Sequence, residues 1–138
     1  MSFLLDTNAV SEWVKPQPNP GLMSWMEAVD EDRTFLSVIS LAELHYGVER
    51  MPPGRRRDRL AEWVSDELSL RFEGRILPVS AAIAEMWGKT VSRSEAAGRP
   101  VGVLDAFLAA TAEVHRLVLV TRNTADFHGV EVLNPWTV

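Results

Sequence analysis

Four acidic residues of this 138-residue chain stand where short apolar runs or helical stretches begin or end. Asp6 closes Phe3-Leu4-Leu5, and Glu43 ends Ser40-Leu41-Ala42-Glu43. Asp105 lies in Gly102-Val103-Leu104-Asp105-Ala106, and Asp126 in Thr121-Arg122-Asn123-Thr124-Ala125-Asp126-Phe127. Clustered carboxylates are ligands for hard divalent cations, and a cation held this way can activate water beside a phosphate. Each acid also has an ordinary structural use. Asp6 suits a helix N-cap, Ser40-x-x-Glu43 matches a capping box, Asp105 complements the positive end of a helix, and Asp126 can close a turn. Together these uses explain less. Asp105 sits in an apolar stretch, where a charge requires a partner or a metal. Carboxylates meeting at one edge would repel by about 3 kcal/mol per pair at ~5 Å and an effective dielectric near ~20. A divalent cation relieves that repulsion. There is no Cys, and His45, His115 and His128 have no metal-ligand spacing, so all-oxygen donors favour Mg²⁺ or Mn²⁺ over Zn²⁺.

The elements that must position these acids alternate along the chain. Phe3 to Leu5, Phe35 to Ile39, Ile76 to Val79, Leu117 to Val120 and Val130 to Leu133 read as strands. Helical periodicity fills the intervals. Val10, Trp13 and Val14 share one side of a first helix, stopped at Lys15-Pro16, and Leu22, Trp25, Met26 and Val29 recur at helical spacing. Ser40 opens a helix that Pro52-Pro53-Gly54 breaks, and Arg55 to Arg59 starts another. Ser80 to Gly98 is the longest predicted helix, and Val103 to His115 the last. Wholly apolar strands separated by helices predict an α/β fold with a parallel sheet covered on both faces. In such sheets ligands bind outside the carboxyl ends of the strands, near the point where strand order reverses. Asp6 and Asp126 both follow predicted strands.

Length, composition and charge limit the remaining classes. The chain is the size of one domain, spanning 1–138, with 46% hydrophobic and 24% charged residues. No run suits a membrane span and no secretory signal is visible. The absence of Cys fits a reducing cytoplasm. A net charge of −5 means that any nucleic acid must be met by a local basic patch. Arg93, Arg99, Arg116 and Arg122 lie nearest in sequence to the acids and are the candidates for RNA phosphate contacts. The Arg55–Arg59 cluster reads first as a solvated helix face. Trp13, Trp25, Trp63 and Trp87 each fall on the apolar side of a predicted helix and read mainly as core.

Leu5-Asp6-Thr7-Asn8, Ser40-x-x-Glu43 with Leu44 and Gly47, Asp105-Ala106, and Thr121-Arg122-Asn123-x-x-Asp126-Phe127 together resemble, in order, the four motifs of PIN-domain nucleases. The resemblance covers essentially the whole chain. It is nearest to the VapC-type toxin ribonucleases of bacterial toxin–antitoxin pairs, including the FitB-like branch. It implies a three-layer α/β/α sandwich in which Asp6, Glu43, Asp105 and Asp126 hold one or two Mg²⁺ or Mn²⁺ ions. Asp6 and Asp105 would touch metal, with Glu43 and Asp126 acting through water. Thr7, Asn8, Ser40, Thr121 and Asn123 would orient carboxylates or bind phosphate, or serve in ordinary caps and turns. It further implies a metal-dependent endoribonuclease neutralised by an antitoxin, whose peptide inserts into a groove that helices after the second motif help to form. A homodimer, and DNA contact only through the antitoxin, complete the expectation.

Two enzymatic rivals fit poorly. An aspartyl phosphatase needs a second Asp two positions after Asp6, where this chain has Asn8. A receiver domain needs a late Lys, and the only lysines are Lys15 and Lys89. A third alternative is a non-catalytic module that binds an antitoxin and supports its repressor complex.

Overall fold

The computed structural model describes residues 1–137. Five strands form one parallel sheet: β1 (Phe3–Leu5), β2 (Thr34–Ser37), β3 (Ile76–Leu77), β4 (Val118–Val120) and β5 (Val132–Leu133), in the order β3-β2-β1-β4-β5. The chain builds outward from β1 to β3, then crosses back to lay β4 on the other side of β1. That reversal opens a crevice at the carboxyl ends of β1 and β4. Asp6 follows β1 and Thr121 follows β4, so both stand at its mouth. The Asp6 N–H donates to the Val120 carbonyl at 2.9 Å, which carries the pairing one residue beyond the strands.

Alternation along each strand fills both faces of the sheet. Leu5, Leu36 and Val120 pack with Val10, Leu22, Val64 and Phe72 on one side. Leu4 and Leu119 pack with Leu108, Ala109 and Phe127 on the other. The first side is covered by α1 (Thr7–Ser11), α2 (Pro20–Ala28), α3 (Val38–Glu49) and α4 (Arg55–Glu62), which runs through a π-helical stretch, Trp63–Leu68, into α5 (Ser69–Arg71). The second is covered by α7 (Val103–His115), against which α6 (Ala81–Ala96) packs. The predicted parallel α/β/α architecture is the one observed. No helix among the described residues is long and apolar enough to cross a membrane.

The expected boundary between β2 and α3 requires correction. The strand ends at Ser37, and Ser37 is the N-cap, its hydroxyl accepting the Ile39 N–H at 3.0 Å. Val38-Ile39 reads as strand because both residues are β-branched, but the cap upstream commits them to the helix. Ser40 and Glu43 therefore lie inside α3 and do not form a capping box. Pro78, which lacks an N–H, follows β3 directly and limits it to Ile76–Leu77. The tryptophans divide. Trp13, Trp25 and Trp63 pack on the first core. Trp87 instead stacks on Phe107, centroids 5.3 Å apart, and donates from Nε1 to the Val103 carbonyl.

Candidate active site

Asp6 occupies the N-cap position of α1, but its side chain makes no cap bond to that helix. It accepts instead from Thr121 Oγ1 at 2.6 Å, and the nearby Thr7 N–H and Asn8 side-chain amide favour its charged form. Burial at 5% exposure raises its pKa above the ordinary value; these donors and the nearby Arg122 oppose the rise without cancelling it. The Asn8 Oδ1 is buried with no partner among the described residues.

Thr7 links the first acid to the second. Its Oγ1 lies 2.8 Å from Glu43 Oε1 and 2.9 Å from the buried Ser40 Oγ. One hydroxyl carries one proton, so the arrangement that satisfies both contacts runs from Ser40 to Thr7 to Glu43. Ser40, set in the first turn of α3 by the Ser37 cap, thus aims a donor at Thr7, while Glu43 one turn on receives Thr7's proton. The capping-box alternative for this pair is replaced by a side-chain relay between α1 and α3.

Asp105 stands in the first turn of α7, whose N-cap position is held by Gly102 without a side-chain cap. Its carboxyl is pushed up to about 6, first by burial and then by the charges of Asp6, Glu43 and Asp126. The charges of all three other acids thus reach Asp105. The apolar stretch around it is only partly buried: Val103 and Leu104 are exposed, at 62% and 42%, whereas Ala106, Leu108 and Ala109 are buried. Asp126 ends a short 3-10 turn, Thr124–Asp126, and is exposed. Thr121 Oγ1 also accepts the Asn123 N–H at 3.0 Å, and the Asn123 carbonyl accepts the Asp126 N–H at 3.0 Å. One hydroxyl therefore braces Asp6 and the loop that carries Asp126.

The arginines separate. Arg122 is exposed, and its charge reaches both Asp6 and Glu12. Arg99 lies against His128, and Arg93 against Glu113, both along the α6–α7 flank. Arg116 is misplaced by sequence proximity. It caps the C-terminus of α7 in a left-handed conformation (φ 55°) and precedes β4, so it lies at the opposite edge of the sheet from the acids.

Glu12 was not anticipated. It is 4% exposed, accepts the Asn19 N–H at 2.9 Å and pairs with Lys15. Burial pushes its carboxyl up, but Lys15, the Asn19 N–H and Arg122 together hold it below the ordinary value. A Glu on an otherwise apolar helix face, with Lys three residues on, was the available signal. It fastens the Lys15–Asn19 connection beneath Arg122.

The donor set is all oxygen and carries more negative charge than the half-buried site holds comfortably, which suits a divalent cation. Among the described residues, no group of three or more Asp, Glu or His side chains is arranged to hold an ion directly. Mg²⁺ does not require one, since it keeps several waters and binds through one or two carboxylates.

The fold agrees with the comparisons. A model of the PIN domain family matches residues 3–133. Toxin FitB of Neisseria gonorrhoeae is 36% identical over 136 residues, spanning 97% of this chain and 98% of its own. VapC ribonuclease Y4jK of Sinorhizobium fredii is 32% identical, with 97% of each chain covered. The structure of FitAB bound to an IR36 DNA fragment superposes with a TM-score of 0.91 at 34% identity, covering 97% of this chain and 95% of that one. The chain is therefore a member of the PIN domain family, in its FitB and VapC toxin branch.

Proposed function

We propose that this chain is a metal-dependent endoribonuclease and the toxin of a toxin–antitoxin pair, working as one PIN-like domain in the cytoplasm. What supports the reading is that the charges of Asp6, Glu43 and Asp126 all act on Asp105, at the edge where the strand order of a parallel sheet reverses. The ribonuclease names of its relatives support RNA as the substrate. Asp6 and Asp105 are the residues assigned to hold Mg²⁺, for which Mn²⁺ can substitute, as one or two ions; Glu43 and Asp126 hold its waters. When bound, the cation acidifies a water and offsets charge developing on the phosphate and leaving oxygen. The chain's part is positioning. Thr121, Thr7 and Asn8 fix the Asp6 carboxylate, the Ser40–Thr7 pair fixes Glu43, and Thr121 with Asn123 sets the loop that ends at Asp126. Arg122 supplies positive charge at an edge that otherwise repels RNA.

The partner reading has its own surface. An apolar groove of about 550 Å³ runs between Val14, Pro16, Met51, Leu60 and Trp63, rimmed by Lys15, Arg56 and Arg59. We assign it to the antitoxin, through which DNA is contacted, with the toxin itself forming a homodimer. The structure of FitAB bound to a DNA fragment supports the DNA contact.

The test is cleavage of a structured-RNA panel by antitoxin-free protein with Mg²⁺, with Mn²⁺ and with EDTA, Asp6→Asn being purified alongside. Metal-dependent cutting lost in the variant is expected. Equal behaviour of both folded proteins would favour the non-catalytic binding module.

A further inference from the structure

A second feature lies down the flank of α7 from the acids. Asp105, Ala109 and Glu113 recur at intervals of four and share one stripe of that helix. Ala109 and Glu113 line a cavity of about 180 Å³, which Thr90, Arg93, Arg99 and His128 also enclose. Ala109 is one turn from Asp105, roughly 6 Å along the axis. Arg99 and His128 arrive on loops that themselves lead into the site, and Arg93 on α6. His128 is two residues beyond Asp126, and Arg99 is three before Gly102, where an added Cβ would come 3.9 Å from Asp105 Oδ2.

The chemistry of this cavity is that of an anion acceptor. Arg99 Nη1 lies 3.4 Å from His128 Nδ1. A guanidinium only donates, so the imidazole accepts there and carries its proton on Nε2. No carboxylate among the described residues pairs with Arg99. Arg93 and Arg99 together outweigh Glu113, whose contact with Arg93 is long at 3.6 Å. Independently of these charges, the Thr90 hydroxyl is buried with no hydrogen-bond partner. A polar group left this way is destabilising, and a ligand oxygen can supply its partner.

We infer that the Arg93–Arg99–His128 cavity is a phosphate subsite, holding a backbone phosphate of the RNA strand beside the one that meets the carboxylates. This rests on the nuclease reading for the identity of the strand, but not for the binding of phosphate. An acidic chain with an acidic edge needs a cationic foothold close to that edge, and this cavity supplies one.

The first experiment titrates inorganic phosphate into the intact protein and follows the His128 imidazole ¹⁵N resonances, assigned with His128→Gln. A saturable shift that Arg99→Gln removes is expected. No saturable shift, or the same shift in Arg99→Gln, would overturn the subsite. The second arm measures single-stranded RNA affinity against salt in EDTA. Arg99→Gln should weaken binding for all sequences and reduce the log–log salt slope by about 0.7, one phosphate contact. An unchanged slope beside a positive phosphate titration would overturn the RNA assignment. Phosphate and RNA binding without metal-dependent cleavage by wild type would instead contradict the nuclease reading and leave the subsite standing.

Discussion

Thr121 Oγ1 reaches Asp6 Oδ2 at 2.6 Å across 115 positions of sequence, joining the ends of β1 and β4 at the reversal of strand order. The same oxygen accepts the Asn123 N–H, so one buried hydroxyl serves a carboxylate and a loop. Thr121→Val keeps the shape and removes both bonds. Unfolding in urea at pH 8 should show a loss of about 2 kcal/mol, the scale of a hydrogen bond to a charged acceptor. The loss should shrink at acid pH, once the Asp6 carboxyl has titrated through its raised pKa and needs a donor less. An equal loss at both values would mean that Thr121 contributes packing alone.

Thr7 is predicted to act through Glu43. Thr7→Val breaks the 2.8 Å bond to Glu43 and the 2.9 Å bond to Ser40, leaving the Asp6 donors from Thr121 and Asn8 in place. Loss of such an orienting group typically costs 10–100-fold in metal affinity or activity. RNA cleavage should fall by about that factor, and Thr7→Ser should restore it. Full activity in Thr7→Val would remove Thr7 from the positioning machinery.

Asp105 sets a pH dependence of known sign in metal-free protein. Its carboxyl stands at about 6 in the fold against 3.8 ordinarily, so the folded state binds this proton more tightly than the unfolded state. Stability from this group is present below the ordinary value and is lost as pH rises to about 6. Asp105→Asn should therefore gain stability relative to wild type across that interval. Mg²⁺ at pH 7.5 should raise the Tm of wild type more than that of Asp105→Asn. Thermal unfolding with EDTA and with Mg²⁺ checks both expectations; a wild-type curve parallel to the variant's across the interval would contradict them.

Glu12 has the opposite sign. Its carboxyl is held below the ordinary 4.5, so its stabilisation is present above that value and fades as pH falls through the folded one. Glu12→Gln should destabilise by roughly 1–2 kcal/mol at pH 7, since a bond to a charged acceptor is weakened. The gap should narrow in acid. Denaturant midpoints at pH 7 and pH 3.5 decide it.

Much of the fold was legible because its signals are local. Apolar runs at Phe3–Leu5 and Leu117–Val120, helical spacing, and the Pro-Gly breaks all act within a few residues. The β2–α3 boundary was misread because Val38-Ile39 suits either state and two serines three residues apart both look like caps. Four acids could be named from their places after strands and at helix starts. Their supports were less legible: Ser40 acts on Thr7, and Thr121 on Asp6, across distances that only the sheet order closes. Arg116 shows the converse. Sequence proximity to Thr121 suggested a shared site, but a parallel strand puts its two ends at opposite edges. His128 has no metal-ligand spacing in the sequence, and only the fold sets it beside Arg99.

The measurement closest to the central claim is single-turnover RNA cleavage in Mg²⁺ by wild type, Asp6→Asn, Asp105→Asn and the double variant, each confirmed folded. Groups that act as one unit lose nearly everything with the first removal. Each single variant should therefore fall close to the metal-free rate, and the double variant no further. Cleavage that survives either substitution, or losses that multiply in the double variant, would contradict a shared carboxylate centre.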